Sequence, residues 1–212
     1  MLGIRRWYDR HVMPRLVICG CSQDVVADLR KQIVPLARGR VFELGCGGGL
    51  NQPFYSPGMV THLAGIDPHL GLLAAARKRA GAQGWDADIR QGFGEDIPFA
   101  TGSFDTVVCT YTLCSVANAT QTIAEMRRVL KPGGQLLFLE HGRAPDIAVY
   151  AWQRRIEPVW RPLAGGCHLT RPVGALLRAG GLEVEPLGQA YLPKTPRALG
   201  WTEWGVARKR GA

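Results

Sequence analysis

Up to residue 141 the chain alternates short apolar runs with helix-length segments. Arg40–Leu44, Val60–Ile66, Phe104–Cys109 and Gln135–Leu139 are dominated by apolar and β-branched residues between glycine, proline or polar boundaries, and each predicts a strand. Between them, Leu70–Ala80 is rich in Leu, Ala, Arg and Lys, and Ala119–Leu130 carries Ile123, Met126, Val129 and Leu130 at helical spacing before Pro132 and Gly133 stop it. Strands alternating with helices imply a parallel sheet with helices on both faces. Beyond residue 141 the pattern loosens. Ile147–Trp160 reads as an amphipathic helix with Trp152, Ile156 and Val159 on related faces, ending near Pro158. Thr170 is an expected N-cap for a helix that has Pro172 early and ends at Ala179, before Gly180 and Gly181. Leu182–Leu187 and Trp204–Ala207 are the expected last two strands. There is no internal repeat and no low-complexity linker. Residues 1–212 therefore read as one domain, with residues 1–38 a helical lead-in to the sheet.

Composition supports this. A chain of 212 residues, 46% hydrophobic and 20% charged, is long enough to bury a core and is not disordered as a whole. No window approaches the roughly 18 apolar residues of a membrane span, and no apolar signal-peptide core follows Arg5, Arg6 and Arg10. A cytoplasmic protein is expected. The net charge of +9 gathers in two places: Arg5, Arg6, Arg10, Arg15, Arg30, Lys31, Arg38 and Arg40, and then Arg208, Lys209 and Arg210. Such an excess forms a solvated face or meets polyanions and anionic membranes. Without a basic motif interleaved with stacking aromatics, nucleic acid is not an expected partner. Cys19, Cys21, Cys46, Cys109, Cys114 and Cys167 match no zinc spacing, so no metal is expected, and a reducing compartment is the simplest setting.

The candidate chemistry starts at Val41-Phe-Glu-Leu-Gly-Cys-Gly-Gly-Gly49, where a strand runs into a loop with four glycines in five positions. Such glycines let the backbone turn sharply and let a ligand approach it closely. Glu43, two residues before Gly45, would repel a pyrophosphate; it suits a cationic ligand or orients the loop through backbone N–H groups. No Gly-Lys-Ser/Thr follows, which excludes a P-loop. Asp67 ends the second strand 22 residues after Gly45. There it would accept the two ribose hydroxyls of a nucleoside, or alternatively cap a helix.

Glu43-Leu-Gly-Cys-Gly47 with Asp67 resembles the cofactor site of the class I S-adenosylmethionine-dependent methyltransferases. Gly94-Glu-Asp-Ile-Pro-Phe99 followed by Gly102-Ser-Phe-Asp105, and Arg127-Arg-Val-Leu-Lys-Pro-Gly-Gly134, resemble later motifs of that family in their order. The resemblance covers residues 38–141 and implies an α/β Rossmann-like fold: a seven-stranded, mostly parallel sheet with the last strand antiparallel and helices on both faces. Residues 39–141 would be the cofactor-binding core, and residues 142–212 the acceptor-side helices and last two strands. By the family's pattern S-adenosyl-L-methionine would lie on Glu43, Gly45, Cys46 and Gly47. Asp67, with Pro68 beside it, would hold the ribose. The backbone of Gly94 and Glu95 would meet the adenine, and Thr110 would face the amino-acid end. Many relatives carry Asp where this chain has Phe93, so Phe93 would stack on the adenine rather than bond to it.

The acceptor end is sought in residues 1–22, 111–118 and 141–170, which hold Tyr8, His11, Tyr111, Cys114, His141, Trp152, Cys167 and His168. His141, at the end of the fifth predicted strand, is the expected catalytic group, a base or a thiolate-orienting residue; the alternative is a histidine satisfied by backbone or by Glu140. His168 sits in Gly165-Gly-Cys-His-Leu-Thr170, a loop that would cover the pocket, with Tyr111 and Cys114 lining it. Cys114 and Cys167 read as packing residues rather than nucleophiles, and Trp7 and Tyr8 as a lid or a staple. Val107-Val-Cys-Thr-Tyr-Thr-Leu-Cys-Ser-Val116, Phe54-Tyr-Ser-Pro-Gly58, Glu140-His141 and Gly166-Cys-His-Leu-Thr-Arg171 further resemble the methyltransferase-like seven group of thiol S-methyltransferases. That resemblance implies a small thiol or sulfide as acceptor. Those relatives begin with a hydrophobic membrane anchor that this sequence lacks, so a soluble cousin is expected. The alternatives are a phospholipid or quinone methyltransferase working at an anionic membrane, or a cofactor-binding module without turnover.

Overall fold

The computed structural model describes Tyr8, Val12 and residues 22–209. Trp7 and His11, named above, lie outside the described residues. Seven strands form one sheet: β1 (Gly39–Leu44), β2 (Val60–Asp67), β3 (Ala87–Gln91), β4 (Phe104–Thr110), β5 (Leu130–His141), β6 (Leu182–Tyr191) and β7 (Trp201–Lys209), in the spatial order β3-β2-β1-β4-β5-β7-β6. The first five are parallel; β7 inserts antiparallel between β5 and β6. The expected Rossmann-like class I architecture is therefore present.

Alternation along the strands sorts the core into two layers. Phe42, Leu44, Ala64, Ile66, Val107, Cys109, Leu136 and Phe138 face one side, where they meet Ile123 and Met126 of helix α3 (Ala119–Val129) and Val173 and Leu177 of helix α5 (Val173–Ala179). Val41, Leu63, Val108, Leu137 and Leu139 face the other side, against Leu29 and Ile33 of helix α1 (Asp24–Ile33). Helix α2 (Leu70–Ala82) packs Leu73, Ala76 and Ala80 on Cys46 and Ile89. Each fully buried Phe or Leu contributes about 1.5–3 kcal/mol, so these layers make the sheet a rigid platform for the loops at its C-terminal edge.

The structure revises four local expectations. β3 gave no apolar signal because it is an edge strand: only Ile89 is buried, and Asp88 and Arg90 pair with each other at its surface. Helix α4 (Ile147–Leu163) does not end near Pro158 but continues through Pro158 and Pro162. Both prolines lie on its exposed side, where the carbonyls they leave unpaired reach water. The expected apolar stripe of that helix also faces outward, with Trp152 and Val159 exposed. Its buried residue is Gln153, whose Nε2 donates to the Gly142 carbonyl (3.1 Å) and whose Oε1 accepts from Ala144 N–H (2.9 Å). Finally, Thr170 does not cap α5. Its N–H and hydroxyl both donate to Glu157 Oε2 (2.8 and 2.7 Å), tying the loop before α5 to α4.

Arg128 of α3 holds the wall beside the sheet. It donates to the carbonyls of Phe99 (2.7 Å) and Ile97 (2.8 Å) while Glu125 pins its guanidinium from the same helix. Charged hydrogen bonds of this kind contribute about 1.5–3 kcal/mol. Arg128→Ala is accordingly expected to lower stability by about 2–3 kcal/mol, read as a lower urea midpoint at unchanged slope; an unchanged midpoint would show that residues 97–99 hold without it.

Candidate active site

A cleft of about 820 Å³ opens at the C-terminal ends of β1, β2, β4 and β5, where open α/β sheets bind their ligands. One end is built on the buried carboxylate of Glu43. Asn51 Nδ2 donates to its Oε1 (2.8 Å) and the Tyr55 hydroxyl to its Oε2 (3.1 Å). Asn51 Nδ2 also reaches Thr110 Oγ1 (3.0 Å), and Arg30 Nε donates to Asn51 Oδ1 (2.9 Å). Burial pushes the Glu43 carboxyl up to about 7, against the lowering effect of Tyr55, Asn51 and Arg30. A positive ligand group arriving beside it would favour the ionised form. Glu43, Asn51, Thr110 and Arg30 all line the cleft.

The glycine loop follows. Gly45, Gly47 and Gly49 have φ of 67°, 49° and 78°, and a Cβ at Gly45 would strike the Thr112 side chain. A Cβ at Gly47 would meet nothing within 4 Å, so that glycine is needed for its backbone conformation and leaves the cleft open beside it. Asp67 closes the loop from β2: Oδ2 accepts from Gly47 N–H (3.0 Å) and Oδ1 from His69 N–H (2.8 Å). Asp67 is not the cap of α2, whose N-cap residue is His69. Its oxygens keep further acceptor capacity toward the cleft. Cys46 and Pro68 also line it; burial pushes the Cys46 thiol up, away from any reactive form.

Phe93, Gly94 and Glu95 form the outer wall. Phe93 is 61% exposed, an unusual surface position for an aromatic ring and one that suits stacking on a planar ligand. A Cβ at Gly94 would crowd Thr122 at 2.8 Å. The Glu95 carboxylate accepts from Asn118 N–H (2.8 Å) and its carbonyl from Gln121 Nε2 (2.9 Å), which tie this wall to the start of α3.

Glu140 and His141 organise the other end. Glu140 is fully buried and accepts from the N–H groups of Thr112, Leu113 and Cys114 (2.9, 2.9 and 3.0 Å). Burial pushes its carboxyl up to about 7, opposed by those N–H groups and by the Cys109 thiol. It thus shapes the loop after β4 and is not the partner of His141. Instead His141 Nδ1 lies 3.5 Å from Cys167 Sγ, and its Nε2 is buried with no hydrogen-bond partner among the described residues. Cys167 is pulled well below the ordinary thiol range, first by the neighbouring Cys114 thiol and then by His141, against the raising effect of burial. Tyr111, held at φ 50°, lines the cleft with Cys114, His141, Trp160 and Cys167.

Two expected pocket residues stand elsewhere. His168 does not line the cleft: its Nδ1 lies 3.3 Å from Glu157 Oε1, a tie between α4 and the loop. Tyr8 does not line it either, but its hydroxyl donates to the Leu163 carbonyl (2.8 Å), and Leu163 sits at the cleft. Arg30, Asn51, Tyr55 and Glu140 were missed by sequence reasoning. The available signal was Glu43 itself, since a carboxylate in a central strand must have polar partners within reach.

These residues fit a nucleoside bearing a cationic tail: a carboxylate beside open backbone, an exposed ring, and a second carboxylate near a positive centre. Sequence comparison agrees. A family described as a methyltransferase domain matches residues 42–138. The chain belongs to the class I S-adenosylmethionine-dependent methyltransferases, and it is an enzyme of that kind. Among its relatives, thiol S-methyltransferase TMT1B of Rattus norvegicus is 35% identical over 167 residues, 76% of this chain and 68% of that one. Its counterpart in Homo sapiens is 35% identical over 173 residues, 77% and 71% of the two chains. The crystal structure of the YcgJ protein of Bacillus subtilis shares the fold with a TM-score of 0.70 at 19% identity, covering 89% of this chain and 99% of that one.

Asp67→Ala is expected to weaken S-adenosylmethionine binding by about 1–3 kcal/mol, roughly five- to 150-fold in Kd by calorimetry. Unchanged affinity would remove Asp67 from the ribose position.

Proposed function

We propose that this enzyme methylates a small thiol or sulfide. S-adenosylmethionine supplies an electrophilic methyl group on a positively charged sulfur. On this reading Gly45, Cys46 and Gly47 lie along its amino-acid portion, with Glu43 and Thr110 facing the cationic end and Arg30 the carboxylate. Asp67 and Pro68 take the ribose, and Phe93, Gly94 and Glu95 the adenine. The observation that carries the acceptor assignment is His141: a histidine 6% exposed, lining the cleft, whose Nε2 has no partner among the described residues. A thiol proton needs somewhere to go before its sulfur becomes a strong nucleophile, and an unpartnered imidazole nitrogen provides it. Tyr111, Cys114 and Trp160 line the same cleft as His141, and their largely apolar side chains suit a small thiol or sulfide better than a strongly polar acceptor. The relatives named as thiol S-methyltransferases support the same acceptor class.

The test is methyl transfer from labelled S-adenosylmethionine to sulfide and small thiols, with phosphatidylethanolamine vesicles as a parallel acceptor. Product with thiols is expected. His141→Ala should spare cofactor affinity, lower turnover and move the pH–rate profile upward, because the acceptor must then ionise unaided. Product with vesicles alone would overturn the proposal. The specific observation that favours that outcome is the outward face of α4, where exposed Ile147, Trp152, Val159 and Leu163 lie among exposed Arg154, Arg155 and Arg161.

Glu43 adds a pH dependence. With its carboxyl pushed up to about 7, it is mostly protonated in the free protein below that pH. A cation bound beside it displaces the proton, so affinity should rise between pH 6 and 8. The same raised value favours the protonated folded state: the stability it contributes is full below the ordinary carboxylate range and is lost as pH rises through 7. Calorimetry at pH 6.5 in buffers of different ionisation enthalpy should therefore show proton release on binding in the wild type. Glu43→Gln should abolish that release and flatten the fall in thermal stability with pH. Equal release in both proteins would assign the proton to another group.

A further inference from the structure

Among the described residues, the cysteines behave in two distinct ways. Cys46 and Cys109 are buried with their thiols pushed up by burial and by neighbouring carboxylates. Cys114 and Cys167 instead meet at the acceptor end of the cleft, both on its lining and neither in a disulfide. They belong to two loops that are fastened together, since His168 N–H donates to the Cys114 carbonyl (2.9 Å). That bond sets Cys167, the residue before His168, beside Cys114. Cys167 has in addition an imidazole at 3.5 Å, from His141. It is partly exposed, whereas Cys114 is buried behind it.

This is a nucleophile, an adjacent cation-forming base and a second thiol on a neighbouring loop. A thiolate beside a protonated imidazole attacks disulfides, and a neighbouring thiol then releases the adduct. Packing alone would require neither the imidazole nor the opening onto a cleft. We propose that Cys167 and Cys114 form a redox-active dithiol at the acceptor end, which captures small disulfides and returns them as thiols.

The exchange balances without a further reactant. Cys167 thiolate attacks one sulfur of a disulfide RSSR. A Cys167–SR bond forms, the S–S bond breaks, and RS⁻ leaves with the proton held by His141. Cys114 then attacks Cys167 Sγ; the Cys114–Cys167 bond forms and the second RS⁻ departs with the Cys114 proton. The net change is two protein thiols oxidised to one disulfide and RSSR reduced to two RSH. An excess of small thiol reverses it. Cys167 is the attacking sulfur because it is the partly exposed thiol and has His141 Nδ1 at 3.5 Å, and the buried Cys114 is the resolving one.

The chemistry is independent of methyl transfer, so it can be tested on the whole chain without cofactor. The reduced protein is exposed to 2-hydroxyethyl disulfide, a small neutral probe, and peptide-mapped by mass spectrometry, which separates these sites from Cys19 and Cys21. The wild type should give a Cys114–Cys167 disulfide, and Cys114→Ser a stable mixed disulfide on Cys167. Cys167→Ser should give neither product. A second measurement needs no cysteine variant: alkylation of Cys167 by iodoacetamide should titrate below the ordinary thiol range, and His141→Ala should slow it severalfold at neutral pH. A Cys167 that forms no adduct, or that alkylates only in the alkaline range of an ordinary thiol, would overturn the proposal.

Discussion

The buried carboxylate of Glu43 is the constraint around which the cofactor end is arranged. An acidic side chain in the central strand of a parallel sheet has no water to turn to, and an unpaired charge there would be prohibitive. The fold answers by bringing Asn51 and Tyr55 back from the segment after the glycine loop, and Arg30 across from helix α1. Those partners do more than satisfy the carboxylate. Asn51 also fixes Thr110 at the end of β4, so the ends of β1 and β4 are locked in mutual position through one amide. The glycine loop is thereby held from below by Glu43's partners and from the side by Asp67 on the Gly47 N–H.

Glu140 repeats the device at the other end of the cleft. Its carboxylate collects the N–H groups of Thr112, Leu113 and Cys114, which bends the chain sharply after β4 and sets Tyr111 in a left-handed conformation. Arg171 grips the far side of the same turn through the carbonyls of Leu113 and Val116. A loop so fully tied costs little further ordering when a ligand arrives, which is the physical content of preorganisation. It also leaves His141, the next residue along, free to face the cleft, because its neighbour has taken the structural duty.

How much of this was legible in the sequence follows from where each signal lies. The central strands announced themselves because both their faces are buried, and the glycine loop and Asp67 because their chemistry is local in sequence. β3 did not, since an edge strand with one buried residue has no apolar periodicity. Helix α4 misled for the opposite reason: Trp152 and Val159 look like a core stripe, yet the helix is anchored by a buried Gln153 and turns those residues outward. The pairing of Cys167 with His141 joins residues 26 positions apart through a turn that no periodicity encodes. Arg30, counted at first only toward net charge, is 4% exposed; composition cannot distinguish a buried arginine from a solvated one.

The two ends of the cleft differ in kind. At the cofactor end the Glu43, Thr110 and Asp67 oxygens are hydrogen-bonded before any ligand binds, so recognition there adds bonds to oxygens that already have partners. At the acceptor end His141 Nε2 and Trp160 Nε1 are buried with no hydrogen-bond partner among the described residues. Leaving such groups unsatisfied costs about 1–3 kcal/mol each, a cost that folding alone does not explain. A ligand that supplies a partner to these atoms recovers part of that free energy only when it is seated against them. On the proposed function, the orphaned imidazole nitrogen would both select for an acceptor able to donate a proton and draw that proton toward the base. Binding and activation of the acceptor would then be the same event, and the helix that carries Trp160 the element on which acceptor choice depends.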